Sequence, residues 1–175
     1  WLVSDARNDA LFEATLRRLP RGSGLIFRHQ HLTDEARRRR WRRLARLARR
    51  RGHLAVIASD ARTARRWGAS GAYGPPARMA RGPALARLVT AHSLREIGAG
   101  HRARADVILL SPVFATRSHP GSRVLGPLRF RLLAARALVP VIALGGMDAA
   151  RARRLRWTRW AAIDGLSGGQ APHRP

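Results

Sequence analysis

The chain has 175 residues with 35 Lys+Arg against 10 Asp+Glu, a formal charge of +25, and every one of those cations is arginine. With neither lysine nor cysteine, it excludes a Schiff-base or P-loop lysine, thiolate nucleophiles, disulfides and cysteine-bound zinc, and a reducing, cytoplasmic setting is expected. Its 45% hydrophobic residues can fill a core, and no apolar run nears the roughly 20 residues of a membrane span, so a soluble, untargeted protein is expected.

Short β-rich runs alternate with longer amphipathic stretches, the pattern of repeated βα units around a parallel sheet. The chain opens with a strand over Trp1 to Ser4, a helix over Ala10 to Leu19, a strand over Leu25 to Arg28 and a helix over Asp34 to Arg51. A strand over Leu54 to Ser59, a helix over Ala61 to Trp67 and a strand over Gly71 to Tyr73 follow. Pro75 to Pro83 holds three prolines, so a helix there is short or lost. The second half reads as a strand over Leu88 to His92, a helix over Leu94 to Arg104, a strand over Val107 to Ser111 and a helix over Pro127 to Leu138. It ends with a strand over Val141 to Leu144, a helix over Ala149 to Trp157 and a strand over Ala161 to Ile163. Eight strands with crossover helices predict an α/β fold, a compact (β/α)8 TIM barrel with a shortened fourth unit and its chemistry at the strand C-termini. One domain is expected over residues 1–166, with 167–175 as a loose tail.

Ten of the residues from Arg37 to Arg51 are arginine, while Trp41, Leu44, Ala45 and Ala48 recur at helical spacing as one apolar stripe. A solvated outer helix explains this pattern; nucleic-acid or membrane-surface contact is the alternative, and no nucleic-acid motif accompanies it. One tyrosine and four phenylalanines make a thin stacking platform for single strands.

Two later segments carry the chemistry. Ser111 to Gly121 follows an apolar strand and forms a hydroxyl-rich, basic loop suited to phosphate. Val141 to Leu144 runs into Gly145 and Gly146 and then a helix; backbone N–H groups at such a junction bind phosphate, and a tight turn is the plainer reading. His92 is a candidate ligand or a structural hydrogen-bonding residue, His29 and His31 suit a metal only with further ligands, and Asp5 and Asp60 are site residues or helix caps.

The string Ser111-Pro112-Val113-Phe114-Ala115-Thr116-Arg117-Ser118-His119-Pro120, then Leu125-Gly126, then Val141-Ile142-Ala143-Leu144-Gly145-Gly146, resembles in order and spacing the pattern of the thiamine phosphate synthases and related thiazole tautomerases. Ala91-His92-Ser93 and Ser59-Asp60 resemble that family's strand-five and strand-three motifs. The resemblance implies coupling of an aminopyrimidine methyl pyrophosphate to a thiazole phosphate, with Mg²⁺ on the departing pyrophosphate. By position, it implies pyrophosphate contact by Arg28, a metal ligand in Asp60, paired hydroxyls in Thr116 and Ser118, and thiazole-phosphate binding by Gly145 and Gly146. His119 stands where the family has a lysine, with Arg117 as its alternative. The family's strand-two Gln-x-Arg-x-Lys survives only as Arg28, no carboxylate follows strand four, and Asp164 stands where small hydroxyl residues meet phosphate. The tautomerase histidine position is Pro112, which disfavours that branch. Small phosphorylated substrates are the expected partners. A barrel that only binds a phosphate ester and a basic nucleic-acid-binding protein are the alternative readings.

Overall fold

The computed structural model describes residues 1–117, 121 and 123–166. Seven parallel strands form one sheet in chain order: β1 (Leu2–Val3), β2 (Gly24–Phe27), β3 (Leu54–Ile57), β4 (Gly71–Gly74), β5 (Ala86–Ala91), β6 (Val107–Leu110) and β7 (Val141–Ala143). The crossover helices are α1 (Asp9–Arg18), α2 (Asp34–Arg50), α3 (Ala61–Arg66), α4 (Pro76–Met79), α5 (Leu94–Arg102) and α6 (Gly126–Ala134), and α7 (Ala149–Leu155) follows β7.

This is the α/β architecture expected from the alternation, with two differences. The segment expected as an eighth strand makes only isolated parallel bridges, Ala143↔Trp160 toward β7 and Leu2↔Ala162 toward β1. Its backbone bonds are split between the two edges, Ala143 N–H to Arg159 O and Ala161 N–H to Ala143 O on one side, Val3 N–H to Ala162 O and Ala162 N–H to Trp1 O on the other, one residue pair toward each neighbour and so no continuous ladder. Ahead of α1 stands an unexpected 3-10 turn, Ala6–Asn8, closed by a capping box in which the Asp5 carboxylate accepts from Arg7 N–H and Asn8 Oδ1 accepts from Asp5 N–H.

Alternation along the strands sorts the core into two layers. Leu2, Leu25, Phe27, Ala55, Ile57, Ile108 and Leu110 pack outward against the helices. Val3, Ile26, Val56, Leu88, Leu109 and Ile142 form the second cluster, with Tyr73 from β4 and Ala161 from the bridging segment packed into it. Every strand thus sends at least one side chain inward.

The arginine-rich helix follows its expected pattern. Trp41, Leu44, Ala45 and Ala48 are the buried residues of α2. Several of its arginines are structural: Arg40 pairs with Asp9 and Glu13 of α1, and Arg49 donates to Gly68 O at 2.6 Å. Arg37 lies against Phe27 and Trp67 and donates to Arg28 O at 3.1 Å and Ala58 O at 3.0 Å, clamping the ends of β2 and β3. None of the helices among the described residues is long and apolar enough to cross a membrane.

Candidate functional site

A cavity of about 1480 Å³ opens at the C-terminal ends of the strands. Arg28, His92, Thr116, Arg117, Gly145 and Gly146 all line it, so six of the nine expected site residues come together. Ser118 and His119 lie outside the described residues.

Asp60 is placed differently, because it is the N-cap of α3 and is absent from the lining among the described residues. Its Oδ1 accepts from Thr63 N–H and its Oδ2 from the Thr63 hydroxyl, both at 2.9 Å. The backbone bond from Thr63 is the main reason its carboxyl titrates below the usual range. No group of three potential ligating side chains occurs among the described residues. The two acids in the lining, Asp148 and Asp164, are both paired with arginine. This donor set does not fit a protein-held Mg²⁺, which is bound through carboxylates aimed at the substrate phosphates.

Arg28 follows β2 and is positioned from behind. Its N–H donates to Ser4 Oγ at 2.7 Å, and that hydroxyl bonds His29 Nδ1 at 2.7 Å, while His29 Nε2 donates to Asp9 Oδ1 at 2.8 Å. A carboxylate only accepts, so Nε2 carries the ring proton and Nδ1 accepts from Ser4. The three side chains have the composition of a hydrolytic triad, but Ser4 is 0% exposed and His29 is 1% exposed, so they serve as a scaffold. Burial pushes the His29 pKa down despite Asp9. Burial alone would raise Asp9, but the bonds from His29 and Arg40 and the Arg40 charge hold it below its ordinary value. The expectation of a metal role for His29 needs free ring nitrogens, and both are occupied.

His92 follows β5. Its Nδ1 donates to Ser111 O at 2.7 Å, which fixes the tautomer and leaves Nε2 as the atom available to a ligand. Arg117 pairs with Asp164 at 3.2 Å and Arg7 pairs with the same carboxylate at 3.6 Å, so the acid that would repel a phosphate there is neutralised from two sides.

The two glycines after β7 are required by the backbone. Gly145 has φ +91° and Gly146 φ +60°, left-handed values that other residues adopt with strain. A Cβ on Gly145 would stand 2.6 Å from Pro112 Cα, and one on Gly146 would collide with Ala115 O. Val113 N–H donates to Leu144 O at 2.9 Å and Phe114 N–H to Gly145 O at 3.1 Å, which lays the loop after β6 against this turn. The Gly145 and Gly146 amides donate to nothing among the described residues.

The cavity also holds residues without a signal in the sequence. Tyr73 of β4 lines it, and burial raises its phenol pKa while the Arg28 charge opposes that rise. Arg78, Arg123, Arg151 and Arg153 line it as well. Among 35 cations of a single type, position on the strand-end face was the one available signal.

A family model described as thiamine monophosphate synthase matches residues 1–167 of the chain. A putative thiamine-phosphate synthase 2 from Aquifex aeolicus (strain VF5) is 38% identical over 58 residues, which span 33% of this chain and 31% of that relative. Thiamine phosphate pyrophosphorylase from Pyrococcus furiosus superposes with a TM-score of 0.81 at 22% identity, covering 97% of this chain and 87% of that one. The YdjI aldolase from Escherichia coli K12 superposes with a TM-score of 0.64 at 8% identity, over 93% of this chain and 75% of that one. At these identities the structural likenesses show a shared fold.

Proposed function

Because the chain belongs to the thiamine monophosphate synthase family, we propose that its strand-end cavity couples an aminopyrimidine methyl pyrophosphate to a thiazole phosphate. The methylene C–O bond breaks with its electron pair leaving on pyrophosphate, and the resulting pyrimidine-stabilised cation is captured by the lone pair of the thiazole nitrogen. One C–N bond replaces one C–O bond and no proton moves, so a site rich in cations and without a general base is adequate.

Arg28 and Arg117 then stabilise the charge that develops on the leaving group, the role in which His119 would take the place of the family's lysine. Thr116 and Ser118 donate hydroxyls, the amides of Gly145 and Gly146 hold the thiazole phosphate, and His92 Nε2 serves as a further substrate contact. The observation that carries this reading is one cavity at the strand C-termini that contains both Arg28 and two glycine amides that donate to nothing among the described residues. The paired bridges at residues 160–162 and the inward ring of side chains support an eight-stave (β/α)8 barrel around this site. The cysteine-free composition suits a cytoplasmic enzyme.

The test is formation of thiamine phosphate from the two purified substrates. Wild-type turnover is expected, with kcat/KM reduced about 10²–10³-fold in Arg28→Gln, the usual loss for one oxyanion-stabilising donor. No product, with thiazole phosphate still bound, would replace the synthase with a barrel that only binds phosphate esters.

A further inference from the structure

The cavity is lined by seven arginines and two aspartates among the described residues. Asp164 is shared by Arg7 and Arg117, and Asp148 caps α7 and pairs with Arg151. That leaves Arg28, Arg78, Arg123 and Arg153, which form no ion pair with a carboxylate among the described residues, Arg28 being felt only through its charge by Asp5. A guanidinium is always charged and offers five N–H donors in a fork that matches phosphate oxygens. A divalent cation has the opposite prospects there. It would approach several unneutralised positive charges, and Asp60 and both lining carboxylates are already committed.

We propose that this cavity binds a diphosphate group by arginine alone, with guanidinium groups, Arg28 and Arg78 foremost, supplying the counter-charge that a divalent metal would otherwise provide. Arg28 emerges after β2 and Arg78 stands on α4 directly after β4, with the Tyr73 phenol of β4 in the same wall. The two arginines therefore reach one cavity from different elements, which lets both meet the same diphosphate, whereas a single surface arginine meets it alone. The inference rests on the synthase reading for the identity of the diphosphate ester and adds that its recognition is independent of metal.

Titration calorimetry of the whole chain with inorganic pyrophosphate, in EDTA and then in excess Mg²⁺, tests it. Binding in EDTA is expected, and Mg²⁺ should weaken the apparent affinity, because it sequesters pyrophosphate and lowers its charge. Arg28→Gln and Arg78→Gln should each weaken binding about ten- to hundredfold, the loss of a charge-assisted bond. Arg46→Gln, an exposed change on α2 far from the lining, should leave it unaltered.

Binding that appears only with Mg²⁺ overturns the inference and leaves the synthase reading intact. An Arg46→Gln loss equal to the cavity variants also overturns it, since binding would then be general surface charge. Absence of binding in both conditions overturns it too, and together with no thiamine phosphate in the coupling assay removes the synthase reading as well.

Discussion

At the scale of single residues, Asp60 shows how one side chain can satisfy a family pattern and a local rule at once. An aspartate directly before a helix caps it whatever else it does, because its oxygens satisfy amides that the helix leaves open. Here both oxygens are engaged by Thr63. Asp60→Ala is expected to destabilise the fold by about 1 kcal/mol, lowering Tm by about 2–4 °C, while Asp60→Asn, also a good cap, keeps most of it. Equal melting temperatures for wild type and Asp60→Ala would show that the cap contributes nothing. His29 teaches the complementary lesson. Its partners Ser4 and Asp9 lie 25 and 20 residues away in sequence, with no periodicity linking the three, so only the folded chain brings them together behind Arg28.

At the scale of elements, the strand-end loops were legible and the closing segment was not. An apolar strand leading into Gly-Gly and a helix marks a tight turn in any parallel α/β protein, and the loop after β6 announces itself by hydroxyls and arginine. Ala161 to Ile163 has the same apolar character as a strand, but hydrophobicity cannot report that its backbone bonds divide between two neighbours, one residue pair toward each. The turn after β7 can be tested by comparing two glycines with similar backbone. Gly121 has φ +77° with none of the described residues within 4 Å of an added Cβ, whereas at Gly146 the added atom meets Ala115 O and lies 3.0 Å from Phe114 Cβ and O. Gly121→Ala should cost about 1 kcal/mol from backbone strain. Gly146→Ala should cost roughly 1–3 kcal/mol more from overpacking, visible as a lower urea midpoint at unchanged slope. Equal losses in the two variants would mean that the loop after β6 is not seated on this turn.

At the scale of the whole molecule, a charge of +25 makes the folded state sensitive to every further proton. Burial pushes His29 and His53 below the ordinary value of 6.5. The buried Nδ1 of His53 has no hydrogen-bond partner among the described residues, while its Nε2 bonds Leu16 O at 3.1 Å. For both histidines the unfolded chain takes up protons before the folded chain does, so stability falls as pH drops below about 6.5. Asp9 and Glu13 are held low on balance, burial being outweighed by the bonds from His29 and Arg40 at Asp9 and from Arg40 and Arg43 at Glu13. Their stabilisation is present above their ordinary values of 3.8 and 4.5 and is lost as pH falls through that range. Urea midpoints should therefore decline in two stages, first below about pH 6.5 and again below about pH 4.5. Added salt should make both stages shallower by screening the accumulating positive charge. A midpoint constant from pH 7 to pH 5 would mean that His29 and His53 carry no buried neutral ring, and the tautomer that ties Ser4 to Asp9 behind Arg28 would lose its physical basis.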